Sequence, residues 1–143
     1  MNCNNRSRVP AELIEAYKST RYEVEDGGQV FILSIGSSSM ELVTLYEKYG
    51  VDSCAFITAY NPYSKPCSVA NNASNQSKLA EKLAAYAVLR GSGKDPADVW
   101  PAEPGFLILG ISAADAVVIG KTFQQNAIIV CGVDGVPALR LLR

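Results

Sequence analysis

Whatever chemistry this chain performs, it performs without histidine, since none of its 143 residues is one. That removes the side chain that most often acts as general base near neutral pH and as zinc ligand. Ser-His-Asp and Cys-His mechanisms are thereby excluded, and neither a metal site nor a cofactor is expected. The polar residues that remain fall at a few places. In Thr58-Ala59-Tyr60-Asn61-Pro62-Tyr63-Ser64 an apolar run ends in a proline-braced loop, where Thr58, Asn61 and Ser64 offer both donors and acceptors. Asn72 and Asn75 stand three apart, hence on one helical face, with Gln76 four beyond Asn72. A helix start there would present free N–H groups suited to an anion. In Trp100-Pro101-Ala102-Glu103-Pro104 a carboxylate sits between two prolines, making Glu103 the best-placed general acid or base. Gln125 and Asn126 lie where a helix hands over to a strand, with Gln125 placed to reach the Asn61 loop. Each has a plainer reading beside it. Asn61 and Ser64 could hold their own loop, Asn72 and Asn75 a solvated helix face, Glu103 a solvated turn, and Asn126 a left-handed helix C-cap.

Two other features carry less. Gly91-Ser92-Gly93-Lys94 resembles part of a phosphate loop. Val88, however, stands where the first glycine belongs, and Asp95 follows the lysine in place of Ser or Thr. An exposed helix terminator is the expectation. The four cysteines, Cys3, Cys54, Cys67 and Cys131, form no C-x-x-C pair and are expected to be reduced and structural.

The elements that must position these residues follow from the apolar pattern. Hydrophobic residues make up 48% of the chain and charged residues 19%, a balance that can offset ordering entropy by burial and excludes disorder. Residues 1–9 are expected to form a polar tail and 10–143 a single α/β domain. Helices are expected from Pro10 to Ser19, from a Ser38–Glu41 capping box to Tyr49, from Ser68 to Arg90, and from a Ser112 cap to Phe123. Strands are expected at Tyr22–Glu25 and Val30–Ile35, joined by Asp26-Gly27-Gly28. Further strands are expected at Cys54–Tyr60 and Phe106–Ile111, and as a closing hairpin of Asn126–Val133 and Pro137–Leu142. Residues 91–104 read as irregular. The central strand-helix-strand steps favour some parallel pairing and the end hairpins are antiparallel. The expected fold is therefore α/β, with α+β as the variant: a mixed sheet covered by about four helices.

The charge of −1 gives no long-range pull toward nucleic acid, so general nucleic-acid binding is not expected, although short basic patches stay open. No apolar run approaches the roughly 18 to 20 residues of a membrane span. Met1 to Arg8 lacks the apolar core of a signal peptide, so a soluble cytoplasmic protein is expected and the Asn-x-Ser triplets carry no glycosylation meaning.

Taken together, Phe56 to Ser64, Asn72, Leu79, Trp100-Pro101-x-Glu103-Pro104 and Phe123-x-Gln125-Asn126-Ala127-Ile128 resemble a family of small bacterial proteins catalogued as a domain of unknown function. The helix Leu13 to Thr20 with Arg21-Tyr22 extends the likeness to nearly the whole chain after the N-terminal tail. Asn71 departs from it, standing where an acidic residue is expected before Asn72. The resemblance implies a free-standing bacterial domain and no particular activity, and it raises the reading of these polar residues as a site. The expectation is one cleft in which Thr58, Asn61, Ser64, Asn72, Asn75, Gln125 and Asn126 bind a small polar or anionic, nucleotide-like ligand, with Glu103 as acid or base. The competing reading is a non-catalytic interaction module. It would bind a protein partner, or a second copy, through Tyr46, Tyr49, Tyr60, Tyr63 and Trp100.

Overall fold

The computed structural model describes residues 7–143; Cys3 and most of the expected tail lie outside them. Its elements in chain order are α1 (Ala11–Ser19), β1 (Arg21–Asp26), β2 (Gln29–Leu33), α2 (Met40–Tyr49) and β3 (Cys54–Ile57). A 3-10 turn (Pro62–Ser64), α3 (Val69–Lys82), β4 (Ala87–Lys94), β5 (Glu103–Leu109), α4 (Ala113–Thr122), β6 (Ala127–Cys131) and β7 (Ala138–Leu141) follow. The strands form one seven-stranded sheet in the order β2-β1-β4-β5-β3-β6-β7. Helices and one sheet in an α/β domain are what the apolar pattern called for.

The expected parallel pairing does not occur, and the reason is topological. Every pairing in the sheet is antiparallel. β3 and β4, joined through α3, do run in the same direction, but β5 lies between them. β5 and β6, joined through α4, likewise run together with β3 between them. The β-α-β units are thus split, and β3-α3-β4-β5-α4-β6 has the connectivity of a ferredoxin-like core. The β1–β2 hairpin extends it beside β4, and β7 beside β6.

Two apolar clusters hold the layers together. On one face of the sheet, Leu42, Leu45 and Tyr46 of α2 pack with Tyr22, Val24, Phe56, Leu107 and Ile129. On the other, Leu79 of α3 and Ala116 of α4 pack with Ala55, Ile57, Ile108 and Ile128. These last come from β3, β5 and β6 only, so the same face of β4, β1 and β2 carries no helix. Val30 and Ile32 are accordingly 58% and 47% exposed.

Three local expectations are corrected. The cap of α2 is Ser39, whose Oγ accepts from the Leu42 N–H at 3.1 Å; Glu41 sets the spacing that pointed to Ser38, but with consecutive serines the frame slips by one. The third helix starts at Ser68 as expected, its Oγ accepting from Asn71 N–H, yet stops at Lys82. The expected helical stretch from 87 to 90 and the expected irregular stretch from 91 to 94 together form β4. Gly91 and Gly93 are therefore no helix terminator. Gly91 pairs with Gly105 across β4 and β5, and the Phe56 ring lies on both: a Cβ would come within 2.8 Å of it from Gly91 and 2.7 Å from Gly105. Small residues under an aromatic ring explain the glycines through packing. Cys54 and Cys131 are buried, free and directly opposite each other on β3 and β6.

Candidate functional site

Past the end of β3 the backbone enters an uncommon conformation. Asn61, Tyr63 and Ser64 all have positive φ, at 45°, 55° and 59°. Left-handed backbone disfavours L side chains, least so for asparagine, so this loop has to be held by its surroundings. The polar residues singled out from the sequence do the holding.

Asn61 is the hub. Its Oδ1 accepts from the Cys67 N–H at 3.1 Å and from Asn72 Nδ2 at 3.0 Å, while its own N–H donates to Asn72 Oδ1 at 2.9 Å. Asn72, 6% exposed, thus turns its amide inward from α3, back onto the loop. Asn61 Nδ2 donates to Glu103 Oε2 at 3.2 Å. Around the other end of the loop, Asn126 Nδ2 donates to Ser64 Oγ at 3.2 Å and to Tyr17 Oη at 3.1 Å, and Arg143 donates to Asn126 Oδ1 at 3.1 Å. The Arg143 guanidinium lies 4.0 Å from the Tyr63 ring centroid, a cation–π contact. Gln125 Nε2 donates to the Tyr60 carbonyl at 3.1 Å, reaching the loop as expected. Thr58 Oγ1 donates to the Pro104 carbonyl at 2.6 Å and accepts from Tyr60 N–H.

Asn61, Asn72, Glu103, Ser64, Gln125 and Asn126 are thus brought to one loop, with Thr58 at its root. Asn75 stands apart, beside Pro62, Lys78 and Lys82 in a groove of about 570 Å3 between α3 and α4. Asn126 is not the left-handed residue after α4; Gln124 is, with φ 55°, and the Asn126 side chain is spent on Tyr17 and Ser64. Glu103 opens β5 instead of sitting in a turn. Sequence reasoning missed Tyr17 and Arg143, which come from opposite ends of the chain and carry no local signal. Gln76, whose Oε1 accepts from Ala59 N–H at 3.1 Å, was read only as a face-mate of Asn72.

Glu103 is electrostatically unlike the rest. Burial pushes its carboxyl above the ordinary range, and the Asn61 amide pulls the other way. No lysine or arginine lies within 4.0 Å of it among the described residues, and its second oxygen has no hydrogen-bond partner there. A half-buried carboxyl without a counter-ion holds a proton more readily than a solvated one. Strand alternation sets its side: Glu103 pairs with Gly93 on the Tyr22 face, whereas Pro104 and Phe106 point to the opposite face.

That opposite face holds the larger cavity, about 650 Å3 between α3 and the helix-free part of the sheet, with Tyr60, Gln76, Arg90 and Phe106 among its walls. Of the proposed interaction anchors, Tyr46 is 6% exposed and its hydroxyl donates to the Gly132 carbonyl; it belongs to the core and cannot anchor a partner. Among the described residues no three His, Cys, Asp or Glu side chains gather as metal ligands do, and no helix is long and apolar enough to cross a membrane.

A family model described as "Protein of unknown function (DUF3293)" matches residues 57–128, half of the chain. The match begins just before Thr58, ends just past Asn126, and so encloses the whole loop network except Tyr17 and Arg143. No curated protein and no solved structure matches significantly.

Proposed function

The chain belongs to the DUF3293 family of proteins of unknown function, and we propose that it binds a small polar ligand where Asn61 and Glu103 meet, with Glu103 exchanging a proton with it. The observation that carries this reading is the Asn61–Glu103 contact. It leaves one carboxyl oxygen and one amide N–H of adjacent groups without partners among the described residues. A donor beside an acceptor is the complement of an amide or a nucleobase edge, which keeps the nucleotide-like class in view through its base. The phosphate-binding arm loses support, because the Asn72 amide is spent on Asn61 and Cys67 and an ionised Glu103 repels an anion. A carboxyl held partly desolvated at the start of a strand, against a loop fixed by several hydrogen bonds, is the environment in which an acid-base residue is tuned.

The test is a thermal-shift screen of nucleosides, free bases and small amides on wild type and Glu103→Gln. Glutamine keeps the acceptor toward Asn61 and loses the titrating proton. A compound that raises the wild-type Tm and shifts the variant much less supports the site. Equal shifts in both, or none with any compound, sink the reading and leave the network as a loop clamp.

A further inference from the structure

The cavity on the far side of β5 lies outside the Asn61–Glu103 reading and independent of it. Its floor is the helix-free sheet face, where Glu25 of β1 and Arg90 of β4 follow the Val24–Gly91 pair in opposite directions and so stand across from each other. Neither makes an ion pair within 4.0 Å among the described residues, in contrast with neighbouring Glu23, which is bridged by Lys94 at 3.1 Å. The wall is α3, which turns Ser77 and Gln76 toward the space, and Tyr60 and Phe106 add aromatic surface. A cleft of about 650 Å3 is within the size range of small-molecule sites. Its two unbalanced charges are opposite in sign, its third charged residue, Glu23, is paired with Lys94, and the rest of its lining is neutral and partly aromatic.

We propose that this cleft is a second binding site and that it takes a zwitterionic ligand of dipeptide size. The ligand carboxylate meets the Arg90 guanidinium, whose fork suits a carboxylate's two oxygens. Its ammonium meets Glu25, and an apolar side chain rests on Phe106. A phosphorylated ligand fits less well, because Glu23 and Glu25 would face its charge.

Calorimetric titration of the full chain with glycyl-phenylalanine, with its N-acetylated form and with its C-terminal amide tests this. Binding of the free dipeptide is expected, weakened at least tenfold by either block. Arg90→Gln should erase the preference for a free carboxylate, and Glu25→Gln the preference for a free ammonium. Ser77→Trp, on the exposed side of α3, should fill the cleft and abolish binding while circular dichroism shows an intact fold. Equal binding of all three peptides, undiminished binding by Ser77→Trp, or no binding to wild type overturns the proposal. Glu103→Gln should leave the titration unchanged. Loss there with Arg90→Gln unaffected would place the peptide at the Asn61–Glu103 site and equally overturn it.

Discussion

At the scale of single residues, Asn61, Asn72 and Asn126 serve the geometry of one loop. Asn61 tolerates left-handed φ and simultaneously ties three segments, so its two roles separate by mutation. Asn61→Gly keeps the conformation and loses the hydrogen bonds; Asn61→Ala loses both. Alanine should therefore be the less stable by roughly 1 to 2 kcal/mol, the cost of left-handed backbone for a residue with a Cβ, as read by urea denaturation. If glycine proves the worse of the two, φ is not what Asn61 is there to supply. Glu103 gives a pH prediction. Its folded-state pKa is raised by burial, so the folded protein holds that proton more tightly than the unfolded chain does. Stability from this group is full below the unfolded value of about 4.5 and is lost as pH rises through the higher folded value. Tm of wild type minus Tm of Glu103→Gln, followed from pH 4 to 8, should fall with rising pH and then level off. A flat difference would mean that the carboxyl is not desolvated.

At the scale of elements, β4 is where local pattern and tertiary demand part. Leu79, Leu83, Tyr86 and Leu89 have near-helical spacing, which continues α3 on paper. In the fold, residues from Ala87 onward alternate instead, with Leu89, Gly91 and Gly93 on the Phe56 and Tyr22 side. A glycine-containing strand is weak by itself; its place is set by β1 and β5 on either side and by the rings above. Gly105→Ala should cost about 1 to 3 kcal/mol, as overpacking against a fixed ring does. Phe56→Leu in the same chain should recover part of that, giving a favourable coupling in a double-mutant cycle. Additive losses would show that the ring does not rest on the glycine. The helix starts, by contrast, were legible at Ser68 and Ser112, because a serine hydroxyl satisfying an N–H three residues on is a local event.

At the scale of the whole molecule, one apolar cluster encloses two of the described thiols and leaves the third outside it. Cys54 and Cys131 are 2% and 5% exposed, whereas Cys67 is half-buried at the loop surface. In a Cys3→Ser background, a thiol reagent should label Cys67 in the native protein and the other two only after denaturation. Rapid native labelling of all three thiols would contradict the sheet position of β3 beside β6. Helix placement is another global outcome. With α3 and α4 over β5, β3 and β6, the rest of that face stays open, and the 650 Å3 cleft exists only because of that asymmetry.

By itself the sequence determined the helical and extended runs other than β4, the α/β class and the polar residues around Asn61, since all of these follow from periodicity, caps and side-chain chemistry within short windows. The direction of the strands around α4 was implicit as well, because a strand-helix-strand step returns the chain parallel to itself; around α3 it was not, because β4 was not expected as a strand. Only the tertiary structure decided that an antiparallel strand would lie between each such pair, that Glu103 and Pro104 would face opposite sides of β5, and that Tyr17 and Arg143 would close on Asn126. Those outcomes depend on contacts between residues far apart in the chain, where the free energy of burying two faces of one sheet outweighs anything a local window contains.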